Sequence, residues 1–163
     1  SSENLKSLKT AVIQPVDLSV DKLIEVTNKL DADVIVWPEA VSHLKQNLDL
    51  NSGKEIIGGF YTGDEDIYNS IVNLRTGEKI DKRNLVPFGE FQPFGGLLNS
   101  LSSFFVSPYF KSLSPGAANQ ANISVQGQEA SGLICWELVF DSTFSNTTVE
   151  SFFIRLLPIQ IFF

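Results

Sequence analysis

The chain has 163 residues, 43% hydrophobic and 19% charged, a balance that suits a globular domain and excludes a disordered or fibrous one. A formal net charge of -7 argues against a phosphate-backbone partner, which needs dense Lys and Arg, so no nucleic acid is expected. With one Cys and one His there is no internal disulfide and no zinc site built from several such ligands. No stretch reaches the about 20 apolar residues that span a bilayer, and no signal peptide opens the chain. The lack of Met, even at position 1, gives the expectation of a piece of a longer or processed product.

In chain order, residues 1–8 are polar and read as a linker. Ala11, Val12 and Ile13 form a short apolar strand ended by Pro15. Residues 17–30 place Leu18, Val20, Leu23, Ile24, Thr27 and Leu30 at helical spacing, with Asp and Ser near the start as caps. Val34, Ile35 and Val36 are a continuous apolar run, the pattern of a strand covered on both faces. Pro38 ends that run and Glu39 stands just beyond it. EIIGGFYTG and YNSIVNLRTGEKI predict further strands separated by the turn residues Gly63 to Asp66, and Thr76-Gly77 is a hairpin signal. KRNLVPFGEFQPFGG, with two Pro and three Gly, reads as a loop. Residues 97–113 are apolar and aromatic with weak periodicity. Ile123–Val125, a turn at Gly127, and a strand through Leu133 and Ile134 that ends at Cys135 complete the pattern. The covered strands thus end at reactive residues, and in layered α/β folds ligands gather outside the carboxyl ends of strands.

Three motifs carry chemistry: WPEA at 37–40, DKRNLVPFGEF at 81–91 and LICWELVF at 133–140. A thiol is a good nucleophile at neutral pH once a base removes its proton. A carboxylate shielded from water has a raised pKa, so it can take that proton and return it to a leaving group. An ammonium group beside the attacked carbonyl stabilises the oxyanion, and the backbone N–H after the nucleophile, here that of Trp136, is the usual second donor. Cys135, Glu39 and Lys82 supply the three side chains; Glu90 can hold Lys82 or assist Glu39. Each has a plainer reading: Cys135 as an inert core residue, Glu39 as a first-turn helix carboxylate, Lys82 as part of a solvated cluster with Lys79 and Arg83, and Glu90 as structural. Trp136 and Glu137 stand between packing and substrate contact. His43 is a candidate for a Cys–His dyad, weighed against a surface loop residue.

WPE, K-x-x-LVPFGE and ICWE together resemble the Glu-Lys-Cys nitrilase superfamily of carbon-nitrogen hydrolases, and more narrowly its apolipoprotein N-acyltransferase branch. The resemblance runs from about Lys9 to about Ile154, and LVPFGEF followed by Pro is its most specific string. It implies a partial α/β fold of the nitrilase type over residues 9–154, an α-β-β-α sandwich whose second half is missing. It implies Glu39 as general base, Lys82 as oxyanion-stabilising lysine and Cys135 as nucleophile. Glu90, Trp136 and Glu137 would be supporting or substrate-binding residues. The implied reaction moves an acyl chain from a phospholipid to the amine of a diacylglyceryl-cysteine lipoprotein through a Cys thioester, with no metal or organic cofactor. The implied setting is the periplasmic face of a bacterial inner membrane, with transmembrane helices in the parent protein. The aromatic segment 97–113, with Phe104, Phe105, Tyr109 and Phe110, would suit a lid over an acyl chain or the bilayer surface.

The alternatives are a soluble amidase or carbamoylase of the same superfamily, and an inactive truncated remnant. The second arises because residues 155–163, RLLPIQIFF, do not match the Asn-Asp-aromatic segment the family places after its next strand. The expectation is a frame shift or truncation near Ile154, with Phe152 to Ile154 beginning the last strand that fits the family.

Overall fold

The structure, a computed structural model, describes residues 8–14, 19–44, 53–87, 89–91 and 112–139, together with the backbone of Phe152–Leu156. It is a mixed α/β arrangement. Strands β1 (Thr10–Val12), β2 (Val34–Val36), β3 (Glu55–Thr62), β4 (Tyr68–Asn73) and β5 (Lys79–Asp81) form one sheet in sequence order. β1, β2 and β3 run parallel, and β3, β4 and β5 pair antiparallel. A second sheet contains β6 (Ile123–Val125), β7 (Gln128–Ile134) and β8 (Phe152–Leu156), with β6 antiparallel and β8 parallel to β7. One helix, α1 (Val20–Lys29), joins β1 to β2. The strands expected from the sequence are all present. β8 also takes in Arg155 and Leu156, the first two residues of the tail set apart in the sequence.

The continuous apolar run of β2 is explained by its two covers. Val34 and Val36 face the second sheet, where Ile57, Ile71, Ile80, Ile123, Val125, Ala130 and Ile134 complete a buried layer. Ile35 faces the other way, into a cluster with Leu23, Trp37, Ile56, Phe60 and Val72 beneath the helix. Each fully buried Ile or Leu in these layers contributes about 1.5–3 kcal/mol. Gly132 lets the sheets come this close, because a Cβ there would collide with the Ile71 side chain. The layers are therefore helix, sheet, sheet. Among the described residues no helix covers the outer face of the second sheet, so the helix, sheet and sheet of a partial sandwich are what is seen.

α1 buries Leu23 and Thr27 and turns Lys22, Glu25 and Lys29 outward as ion pairs of 2.7 and 2.6 Å. Ser19 occupies the N-cap position as expected, but its side chain makes no capping bond; its backbone carbonyl accepts Leu23 N–H instead. At the other end Lys54 Nζ satisfies the Thr27 carbonyl at 2.7 Å. Trp37 Nε1 donates to Thr27 Oγ1 at 2.9 Å, tying the helix to the strand end that carries Glu39.

Candidate active site

Glu39 leaves the carboxyl end of β2 in a turn, and Ala40 after it has φ +54°. The turn lies flat on β3. A Cβ on Gly59 would stand 2.6 Å from Glu39 Cα and 2.8 Å from Ala40 N, so only glycine permits that approach. The first-turn helix reading of Glu39 does not hold: no helix follows among the described residues, and the side chain is buried. His43 continues this segment as an exposed residue bridged to Tyr61, its ring 5.4 Å from the tyrosine ring.

Lys82 follows β5. Its N–H donates to the Asn69 carbonyl at 2.7 Å and its carbonyl accepts Gly116 N–H at 2.8 Å. The side chain is 1% exposed, which overturns the solvated-cluster reading of this lysine. Nζ donates to Glu90 Oε1 at 2.7 Å and stands 3.6 Å from Glu39 Oε1. Glu90 folds back on its own loop, accepting Val86 N–H on Oε2 at 2.7 Å. Of the two roles open to it in the sequence, holding Lys82 is the one made by a direct bond.

Cys135 follows the last residue of β7 and opens a 3₁₀ helix, Cys135–Val139, with φ +55°. A non-glycine residue in the left-handed region is strained, and such strain concentrates at functional sites. The thiol is half-buried at the margin of the inter-sheet core. Burial and the Glu39 charge push its pKa up, while Lys82 and a hydrogen bond from the Trp136 backbone N–H oppose them. Glu39 is also pushed up, by burial first and by Glu90, against the pull of Lys82 and Asn69. Lys82 moves up as well: burial acts against its charge, but the Glu90 bond and the charges of Glu39, Glu90 and Cys135 outweigh it. Lys82 is paired with Glu39 and Glu90 by distance, and the charges of Glu39 and Lys82 act in opposite directions on the Cys135 thiol.

Trp136 and Glu137 tie this turn to the lysine loop. Glu137, 2% exposed, accepts Arg83 N–H at 2.7 Å and Asn84 N–H at 3.1 Å on Oε1, and Ile134 N–H at 3.0 Å on Oε2. Trp136 Nε1 donates to the Asn84 carbonyl at 2.9 Å. Both side chains thus bond the turn after Cys135 to the backbone of the loop after Lys82. Residues 97–111 and 157–163 lie outside the described residues.

The sequence reading missed Asn69, whose Nδ2 donates to Glu39 Oε1 at 2.8 Å and reaches Glu90 Oε1 at 3.4 Å. A signal was available. Asn69, Ile71 and Asn73 share one face of β4, and a polar residue on a strand's buried face needs a partner. Among the described residues no group of His, Cys, Asp or Glu could hold a metal ion.

No family model matches the chain. Curated relatives do. It is 35% identical over 157 residues to an apolipoprotein N-acyltransferase of Vibrio parahaemolyticus, covering 82% of this chain and 31% of that protein. The same enzyme of Photobacterium profundum is 35% identical over 133 residues, 68% of this chain and 26% of the relative. That of Vibrio vulnificus is 32% identical over 158 residues, 82% and 31%. The chain therefore spans roughly a third or less of the length of the curated relatives it matches. Among solved structures, a glutamine-dependent NAD+ synthetase from Acinetobacter baumannii shares the fold. Its TM-score is 0.55 at 22% identity, over 85% of this chain and 30% of the synthetase. Across four fifths of its own length, this chain is a homologue of the apolipoprotein N-acyltransferases.

Proposed function

We propose that this chain carries the acyl-transfer centre of a lipoprotein N-acyltransferase, with Glu39, Lys82 and Cys135 as its catalytic residues. The observation that carries the reading is the buried Lys82 ammonium. It is held between two carboxylates of separate segments and coupled to a single strained cysteine. A buried cation so placed is ready to stabilise developing negative charge.

Glu39 takes the Cys135 proton, and the thiolate attacks the acyl ester carbonyl of a phospholipid. Lys82 Nζ and the Trp136 N–H hold the oxyanion. When the carbon-oxygen bond breaks, Glu39 returns the proton to the departing lysophospholipid, leaving an acyl thioester. The free amine of a diacylglyceryl-cysteine lipoprotein then attacks the thioester, Glu39 takes the amine proton, and amide formation regenerates the thiol. The raised Glu39 pKa suits a group that must hold and release this proton. The setting that fits is the periplasmic side of a bacterial inner membrane. No helix among the described residues is long and apolar enough to cross one.

The test is intact mass of the chain after incubation with phospholipid in detergent. An acyl adduct lost with neutral hydroxylamine, and absent in Cys135→Ala and Glu39→Ala, is expected. No adduct from a cooperatively folded chain would overturn the reading in favour of a hydrolase with a small amide substrate.

A further inference from the structure

Asn69 is absent from the three motifs, yet it stands where side chains of the first two meet. Its single amide nitrogen donates to Glu39 Oε1 at 2.8 Å and lies 3.4 Å from Glu90 Oε1. That Glu90 oxygen is the atom that accepts Lys82 Nζ at 2.7 Å. The backbone adds a second tie, because the Asn69 carbonyl accepts Lys82 N–H at 2.7 Å. One residue of β4 therefore fixes Glu39 and the Lys82 main chain and reaches the lysine's counter-charge. Glu39 Oε2 remains buried and without a partner among the described residues.

We propose that Asn69 is a positioning residue for thiol activation: it holds Glu39 against the Lys82–Glu90 pair, committing Oε1 to hydrogen bonds and leaving Oε2 to receive the proton. The inference rests on the reading of Glu39 as the base of Cys135. A donor bonded to a carboxylate favours its charged form, and burial favours the neutral one. At Glu39 these two influences oppose each other. Loss of the Asn69 donor raises Glu39 further, toward the protonated acid that cannot take a proton from a thiol, while Lys82 still opposes the rise. The other charged or titratable groups facing Glu39 are Lys82 and Glu90 from the loop after β5, Tyr61 from β3 and Cys135 from the end of β7. All four are retained in an Asn69 variant.

Because the chain has one cysteine, alkylation with iodoacetamide reports on Cys135 alone. Its rate is measured against pH by intact mass for the full chain, Asn69→Leu, Asn69→Ser and Glu39→Gln, with folding followed by circular dichroism at each pH. The acid limb is expected to move to higher pH in Asn69→Leu, so that the rate on the limb falls about tenfold at fixed pH. The alkaline plateau should hold. Asn69→Ser, which keeps a shorter donor, should move the limb less, and it carries the test if the Leu variant does not fold. A uniform loss of rate at every pH, with the limb in place in Asn69→Ser, would overturn the role of Asn69 alone. Glu39→Gln leaves only the titration of the thiol itself, so its limb should move away from that of the full chain; a limb at the same pH as in the full chain would overturn the assignment of the base itself.

Discussion

Two buried glutamates are each held by an asparagine of β4, four residues apart on one face of the strand, and they end in opposite conditions. Glu55, at the start of β3, accepts Asn73 Nδ2 at 2.6 Å on one oxygen, and Gln126 N–H and Nε2 at 3.1 and 2.8 Å on the other. Asn73 is equally occupied: Nδ2 also donates to the Ser124 carbonyl at 2.7 Å, and Oδ1 accepts Arg75 N–H at 2.9 Å. Glu39, at the far end, accepts Asn69 on Oε1, while its Oε2 and the Asn69 Oδ1 are buried with no partner among the described residues. The same pair of side chains makes a closed joint at one end and an open one at the other. A buried polar atom without a partner costs about 1–3 kcal/mol, so it persists where chemistry makes use of it.

The largest test of this contrast is Lys82→Met. It leaves Glu39 and Glu90 facing each other without a cation, and urea unfolding is expected to show a loss of about 3–5 kcal/mol. A loss below about 1 kcal/mol would mean that Lys82 is not their counter-charge. At the closed end, Asn73→Leu removes the donor to Glu55 and leaves the Ser124 carbonyl and the Arg75 N–H without their side-chain partner. An expected loss of about 2–3 kcal/mol should leave the pH profile of Cys135 alkylation in place. A displaced profile would show the two ends to be coupled and break the comparison.

The smallest effect concerns the pH dependence of folding. The folded pKa of Glu39 lies above its unfolded value because burial disfavours the charge. The stability linked to its proton is therefore fully present below the unfolded carboxylate range and lost as pH rises through the folded value. Glu39→Gln removes that decline. Unfolding curves between about pH 4 and 8 should fall less steeply in the variant, by less than the Asn73 change. An unchanged slope would place Glu39 in a more solvated setting than its burial indicates.

The strands were legible because their apolar runs are local, and Glu39, Lys82 and Cys135 because each sits in a short motif at a strand end. What escaped was the wiring between them. Asn69 meets Glu39 across 30 residues, Glu137 meets the Arg83 amide across 54, and Gln126 meets Glu55 across 71. No periodicity encodes such pairings, which depend on which strands lie side by side. Lys82 was found through its motif, but its burial was not readable beside Lys79 and Arg83: a backbone bond to the Asn69 carbonyl just past β5 and the Glu90 carboxylate hold it inside.

Ala40 and Cys135 share a left-handed backbone, at +54° and +55°, one beside the proposed base and the other at the proposed nucleophile. The two positions invite opposite treatment by anyone redesigning the scaffold. Glycine at 40 removes a Cβ that the bend disfavours without removing any side-chain group of the proposed chemistry. At 135 the same relief would delete the sulfur on which the proposed chemistry rests, so there the strained bend and the thiol come together.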